Sequence, residues 1–326
     1  MHGQQRAQHN HAKNNVSYGV GECGACKQSG YRSQQQGAPE HAEVMSTSTI
    51  DQRTTDNNDS NRRKQIRVAH SKASLSGKRI VVTAGADGIG LAIVEALVGA
   101  GARVHICDIQ QAALDTCARR LGVTTTRCDV SDEAQVDMLF RDAAATLEGL
   151  DGLVNNAGIA GPTAAVEEID PVAWRRCIDI DLTGQFLCAR RAVPMLKASG
   201  GGAIVNMSSS AGRHGYAFRT PYAAAKWGVI GLTQSLAKEV GPAGITVNAI
   251  LPGIVRGARM EGVIRARAEQ VGVPYEKMER QYLENISLRR MVSPQDVAYM
   301  VLYLMSPLGR NVSGQSLGVC GNVEAL

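Results

Sequence analysis

From Leu75 onward, short β-branched runs alternate with stretches whose apolar residues recur every three or four positions, and that alternation leaves few architectures open. The runs are residues 80–83, 103–107, 124–128, 152–154, 203–207 and 246–250, and between them lie sets such as Ile89, Ile93, Ala96 and Leu97. A chain that places a helix after each strand builds a parallel sheet with helices on both faces. The expected fold class is α/β, a doubly wound parallel sheet in a single domain over residues 75–326. Pro171, Pro221 and Pro294 each fit the first turn of a helix, where a missing N–H costs little. No internal repeat is visible.

Residues 1–74 are different in kind, with no Leu, Phe or Trp among them. They hold 10 Lys/Arg and 6 Asp/Glu, so most of the net charge of +5 belongs there and the rest of the chain is nearly neutral. A segment this polar buries too little to offset the entropy of ordering and is expected to be a disordered tail. Its basic run, Arg62, Arg63, Lys64 and Arg67, reads as solvated linker, and no nucleic-acid partner is expected. Cys23 and Cys26 form one CxxC without a second pair at a defined spacing, so no metal site is expected. Met45 opens a Ser/Thr-rich stretch, and residues 1–44 read as a start-site extension.

Across the whole chain, 44% hydrophobic and 20% charged residues exclude collagen-like, coiled-coil and wholly disordered classes. No apolar run of 18 residues occurs, nor an N-terminal apolar stretch of signal-peptide length, so a cytoplasmic protein without a membrane partner is expected. Of eight cysteines most lie in apolar runs, where a thiol behaves as a small hydrophobe, and disulfides are not expected.

The turn Thr83-Ala84-Gly85-Ala86-Asp87-Gly88-Ile89-Gly90 joins the first run to the first helix. Glycines let backbone approach a pyrophosphate, and a helix N-terminus offers free N–H groups and the positive end of its dipole. Gly85, Asp87, Gly88, Ile89 and Gly90 are therefore candidate cofactor contacts. The next run ends in Asp108, 18 residues after Gly90, where a carboxylate meets ribose hydroxyls and repels a 2′-phosphate. With Asp87 adding a second negative charge, NAD is expected over NADP. Asp129 and Val130 end the third run beside the expected adenine site, with a helix N-cap as the plainer role for Asp129. Asn156, Ala157 and Gly158, in Asn155-Asn156-Ala157-Gly158, follow the fourth run at the ligand-binding edge of such a sheet.

Tyr222 and Lys226 lie at i and i+4 on one helix face, and Ser209 sits 13 residues before Tyr222 in a serine cluster. A phenol titrates near 10 when free, and an adjacent ammonium stabilises its anion, which suits proton transfer. Ser209 is placed to hydrogen-bond a substrate oxygen.

Together these residues resemble the short-chain dehydrogenase/reductase family of the classical type, over about residues 75–323. The resemblance implies a Rossmann-type sheet of about seven strands, often assembled as a homotetramer or homodimer. It implies Tyr222 as acid-base, Ser209 orienting the carbonyl or hydroxyl, and Lys226 holding the ribose. Pro252, Gly253 and Val255 match the Pro-Gly segment that contacts the nicotinamide. Ala84 stands where the first Gly of the turn is usual, and Asp181 where the family has an Asn that helps hold a water of a proton relay. Gly257 stands where a Thr often contacts the carboxamide, and Cys320 where an Asp is usual. Asp181 joins Ser209, Tyr222 and Lys226 as a catalytic candidate.

The expected activity is NAD(H)-dependent interconversion of a secondary alcohol and a ketone on a small-molecule substrate. The alternatives are an NADPH-dependent 3-oxoacyl-carrier-protein reductase type and a catalytically weak NAD-binding regulatory protein. Residues 254–287 are expected to form a substrate lid. Its Arg256, Arg259, Arg265 and Arg267 read as a solvated helix face, with a carboxylate or phosphate on the substrate as the other reading. His214, Tyr216 and Phe218 are expected to line the pocket entrance.

Overall fold

The computed structural model describes residues 74–324. The polar segment 1–73, with the Cys23/Cys26 pair, the 62–67 basic run and the start expected at Met45, lies outside the described residues.

Seven parallel strands form one sheet in the order β3-β2-β1-β4-β5-β6-β7, as the alternation predicts. They are β1 (Arg79–Thr83), β2 (Arg103–Asp108), β3 (Thr124–Arg127), β4 (Gly152–Asn155), β5 (Gly202–Met207), β6 (Ile245–Pro252) and β7 (Ser316–Val319). Six coincide with the runs read from sequence to within a few residues. The seventh, Ser-Leu-Gly-Val at the sheet edge, is short and only half-buried, so it leaves little apolar signature. The order reverses between β1 and β4, which opens a crevice at the carboxyl ends of the strands.

Helices α1 (Gly88–Gly99), α2 (Gln111–Leu121) and α9 (Pro294–Met305) cover one face, and α3 (Glu133–Leu147), α5 (Gly184–Ala198) and α6 (Thr220–Val240) cover the other. Alternation along β1 explains how one strand serves both: Ile80 and Val82 enter the first core, Val81 the second. Each fully buried aliphatic side chain there contributes about 1.5–3 kcal/mol. Pro171 begins α4 (Pro171–Ile178), Pro294 begins α9 behind the Ser293/Asp296 capping box, and Pro221 is the second residue of α6. A π-helical turn, Asp179–Thr183, joins α4 to α5.

Above the strand ends, α7 (Ala258–Val271) and α8 (Tyr275–Glu284) pack on a third apolar cluster of Ile254, Ile264, Ala268, Met278, Tyr282, Ile286 and Val323. No helix among the described residues is long and apolar enough to cross a membrane. Nor do those residues include a group of His, Cys, Asp or Glu placed to hold a metal ion.

Candidate active site

The glycine turn closes on itself tightly enough to exclude side chains. A Cβ on Gly85 would stand 2.9 Å from Ile106, and one on Gly90 would stand 1.9 Å from the Ala84 carbonyl oxygen and 2.7 Å from Asn156 Nδ2. Ala84 takes a positive φ of 49°, the left-handed conformation that a glycine adopts more easily. Gly88 opens α1 at φ +55°, with Ile89 half-buried behind it. Asp87 caps that helix, its Oδ1 accepting the Gly88 N–H at 2.7 Å. The carboxylate thus satisfies a donor of its own turn, a role that the charge argument alone does not disclose.

Asp108 ends β2 half-buried, its Oδ2 accepting the Ala86 N–H at 3.4 Å and its Oδ1 the Gln110 N–H at 3.2 Å. It therefore faces the glycine turn. Asp129 does not cap a helix, since Asp132 caps α3. Its carboxylate accepts from Ser131 N and Oγ and pairs with Arg176 at 2.6 Å. Burial pushes the Asp129 carboxyl up, but Ser131 and Arg176 outweigh it, and the net shift is downward. Val130 is buried against Gly184.

The Asn-Asn-Ala-Gly segment is knitted to the same turn. Thr83 Oγ1 accepts the N–H groups of Asn156 and Ala157 at 2.9 and 3.0 Å, while Asn156 Nδ2 donates to the carbonyls of Thr83 and Ala84 at 3.1 and 3.0 Å. Deeper in, Asn155 donates to Asn206, and Asn206 to Thr233, across β4, β5 and α6. Pro252 accepts from Ser210 Oγ, Gly253 lies against Cys320 where a Cβ would be 2.7 Å from backbone, and Val255 bridges Val292. Gly257 has φ +146°, which a Thr rarely adopts, so this departure has a backbone cause. With a cradle that a Cβ would fill and a carboxylate at the end of β2, the residues present fit a nicotinamide dinucleotide.

Of the three serines, Ser208 is held by the Lys226 carbonyl and Ser210 by the Pro252 carbonyl. Ser209 accepts the Ala211 N–H at 3.1 Å and donates to no group among the described residues. Tyr222 is half-buried, and its ring lies 5.5 Å from Lys226 Nζ. Lys226 is buried and donates to the Met207 carbonyl at 3.2 Å. Ser209 thus lies just beyond the end of β5, and Tyr222 and Lys226 lie together on the first turns of α6, with Lys226 beside Gly158 of the Asn-Asn-Ala-Gly segment.

Asp181 sits in the π-helical turn with no exposed side-chain surface. Its Oδ1 accepts the Ile159 N–H at 2.7 Å, and its Oδ2 is 3.8 Å from Lys226 Nζ. A Cβ on Gly158 would stand 2.8 Å from Asp181 Oδ1 and 3.2 Å from Lys226 Nζ, so that glycine makes room for the pair. Burial raises the Asp181 carboxyl above its ordinary range, and the Lys226 ammonium offsets this only in part. The folded chain therefore holds this proton to higher pH than the unfolded chain does, so the group's contribution to stability is greatest in acid. That contribution is lost as pH rises from the free carboxyl value of about 3.9 through the raised folded value. Asp181→Asn should therefore melt at a higher temperature relative to the parent at pH 8 than at pH 4. Melting curves at the two pH values test this, and a difference insensitive to pH would contradict it.

One cation beside the site carries no sequence motif. Arg219, just ahead of α6, is buried, with its guanidinium 4.5 Å from the Tyr222 ring centroid and 4.9 Å from that of Tyr216. Its Nη2 donates to the Ala160 carbonyl. Tyr216 hydrogen-bonds Tyr282 of α8 at 2.7 Å, and Phe218, at φ 63°, faces the Arg267 guanidinium at 4.4 Å. The arginines of residues 254–287 are not simply a solvated face: Arg259 donates to Gly158 O and Arg267 to Ala217 O, while Arg265 stacks on Tyr275.

The short-chain dehydrogenase model described as "Enoyl-(Acyl carrier protein) reductase" matches residues 83–322. The chain is 40% identical over 251 residues to the cis-4-hydroxycyclohexanecarboxylate dehydrogenase of Sinomonas cyclohexanicum, covering 76% of this chain and 96% of that one. It is 34% identical over 246 residues to the D-beta-hydroxybutyrate dehydrogenase of Cupriavidus necator, covering 74% and 95%. An actinorhodin polyketide ketoreductase variant, solved with NADPH, superposes with a TM-score of 0.73 at 31% identity over 77% of this chain and 99% of that one. The chain belongs to the short-chain dehydrogenase/reductase family. It is an oxidoreductase acting on CH–OH groups or the corresponding ketones, with NAD(P) as the cofactor class.

Proposed function

We propose that this enzyme interconverts a secondary alcohol and a ketone with NAD(H), on a small hydroxy compound such as a cyclic alcohol or diol. The observation that carries the cofactor choice is Asp108, facing the glycine turn from the end of β2. A 2′-phosphate there would meet that carboxylate and Asp87, and like charges at close range repel. Two relatives named for the dehydrogenation of hydroxy compounds support the substrate class.

Gly85, Gly88, Ile89 and Gly90 would hold the pyrophosphate, Asp108 the adenosine ribose, and Asp129 and Val130 the adenine side. Asn156, Ala157, Gly158, Pro252, Gly253 and Val255 would flank the nicotinamide half. When bound, the nicotinamide ring accepts or returns the hydride. Ser209 Oγ, with its O–H free to donate, orients the substrate oxygen. The Tyr222 oxygen takes the hydroxyl proton during oxidation and gives it back during reduction. The Lys226 ammonium favours the negative charge that forms on that oxygen and holds the second ribose. Asp181, hydrogen-bonded to Ile159 N, keeps Lys226 in place from the opposite side. Residues 75–326 form one catalytic domain in this reading, with residues 254–287 as the substrate lid. We place the enzyme in the cytoplasm as a homotetramer or homodimer.

Titration of the full chain with NADH and NADPH, followed by nicotinamide fluorescence, tests the cofactor. NADH should bind about tenfold tighter or better, the equivalent of about 1.4 kcal/mol. Tighter NADPH would favour the second reading, a ketoreductase of the 3-oxoacyl type. That reading draws on Arg127, which pairs with Asp108 in the β2–β3 register and donates to Ile109 O, and on the NADPH of the ketoreductase relative.

A further inference from the structure

We infer that Arg219 is the anchor for a carboxylate on the substrate, so that this enzyme acts on hydroxy acids and the matching keto acids. The inference rests on the alcohol dehydrogenase reading above and names its substrate class. Arg219 is only 4% exposed, and its Nε is buried with no hydrogen-bond partner. Its one side-chain hydrogen bond among the described residues is from Nη2 to the Ala160 carbonyl, and it takes part in none of the ion pairs there. A buried guanidinium without a carboxylate is costly, because its lost hydration is not replaced. The guanidinium carbon lies 4.9 and 4.5 Å from the Tyr216 and Tyr222 ring centroids, so aromatic rings rather than acceptors occupy much of its surroundings. A planar fork held in that way suits a carboxylate better than a neutral oxygen.

Charge in the surroundings points the same way. Arg259 and Arg267 donate to the backbone carbonyls of Gly158 and Ala217 rather than to carboxylates, and Lys226 donates to the Met207 carbonyl with Asp181 as its ion-pair partner. The acidic side chain placed among them is Asp181, engaged with Ile159 N and Lys226 and pushed by burial toward its neutral form. Beside Tyr222 the basic side chains Arg219, Lys226, Arg259 and Arg267 thus outnumber the one acidic side chain among them, a balance that favours an anion. Because Arg219 lies on the ring whose hydroxyl handles the proton, the carboxylate would sit a few bonds from the carbinol carbon. The reaction then runs as for any alcohol: the carbinol C–H leaves as hydride to NAD⁺, the O–H proton passes to Tyr222, and the carboxylate is unchanged.

The test separates binding from turnover. Cyclohexanecarboxylate and cyclohexanecarboxamide, neither of which carries a hydroxyl, are titrated calorimetrically into the full chain with and without NADH. The parent should bind the carboxylate about tenfold or more tightly than the amide. Arg219→Gln should erase that preference, and Arg219→Lys should keep part of it, which guards against a glutamine variant that fails to fold. Equal binding of acid and amide by the parent, or undiminished acid binding by a folded Arg219→Gln, would overturn the anchor. In parallel, a hydroxycyclohexanecarboxylate and its methyl ester are oxidised with NAD⁺. The variant should raise KM for the acid far more than for the ester; an equal loss of kcat on both would make Arg219 a support for Tyr222 instead. Failure of every alcohol, charged or neutral, to turn over would sink the dehydrogenase reading, while the carboxylate titration would still decide the anchor.

Discussion

Tyr222→Phe is expected to lower kcat/KM for any alcohol that the full chain oxidises by about 10³-fold, within the range that a positioned acid-base contributes. The change removes one oxygen. Among the described residues the Tyr222 hydroxyl makes no hydrogen bond, and its ring is held by contacts of Arg219 and Lys226 that a phenylalanine ring retains in kind. Folding and NADH affinity should therefore stay close to those of the parent, so that lost turnover reports on proton transfer. Initial rates of NADH formation and a fluorescence titration of NADH, made on the same preparation, supply both readouts. Turnover close to the parental rate would remove Tyr222 from its assigned role.

Gly90→Ala should strike harder at the fold itself. Its Cβ would lie 1.9 Å from the Ala84 carbonyl oxygen and 2.9 Å from its carbon, both backbone, and no rotamer change relieves that. The start of α1 would have to lift from β1, and α1 carries Ile93, Val94 and Leu97, all fully buried. We expect a loss of roughly 3 kcal/mol. For a domain of this size that is a fall of about 6–12 °C in Tm. NADH binding should weaken at least about tenfold, because the displaced helix start is where we propose that the phosphates bind. Gly99→Ala is the control: a Cβ there meets nothing within 4 Å, and its effect should stay within about 0.5 kcal/mol. Melting curves for the two variants would show whether close approach, rather than loss of glycine as such, sets the effect.

The sheet and the glycine turn were readable from sequence because period and spacing are local signals. Runs such as Ile80 to Val82 are apolar on consecutive residues because the strand is buried on both faces, and turn glycines mark themselves. The pairing of Tyr222 with Lys226 is readable from their i, i+4 spacing on one helix. What escaped reading depended on partners far apart in the chain. Asp129 looks like a cap in sequence, yet it is claimed by Arg176, 47 residues on. The lid arginines look solvated on a helix wheel, and only the fold shows Arg259 reaching Gly158, 101 residues away. Arg219 carries no motif at all, since an arginine ahead of a helix is unremarkable until two tyrosine rings close over it. Asp87 reads as a free charge in the sequence, but its carboxylate accepts an N–H of its own helix.

The apolar cluster under α7 and α8 shares no residue with either core of the sheet. Opening it need not loosen the strands that hold Asp108 and Asn156, so exchange of its amide hydrogens should run ahead of the sheet's. The same separation bears on how such an enzyme changes its diet. Substitutions at Ile264, Met278 or Tyr282 draw on packing of their own, so residues 254–287, the proposed substrate lid, can drift in sequence while the proposed cofactor residues on the sheet stay whole.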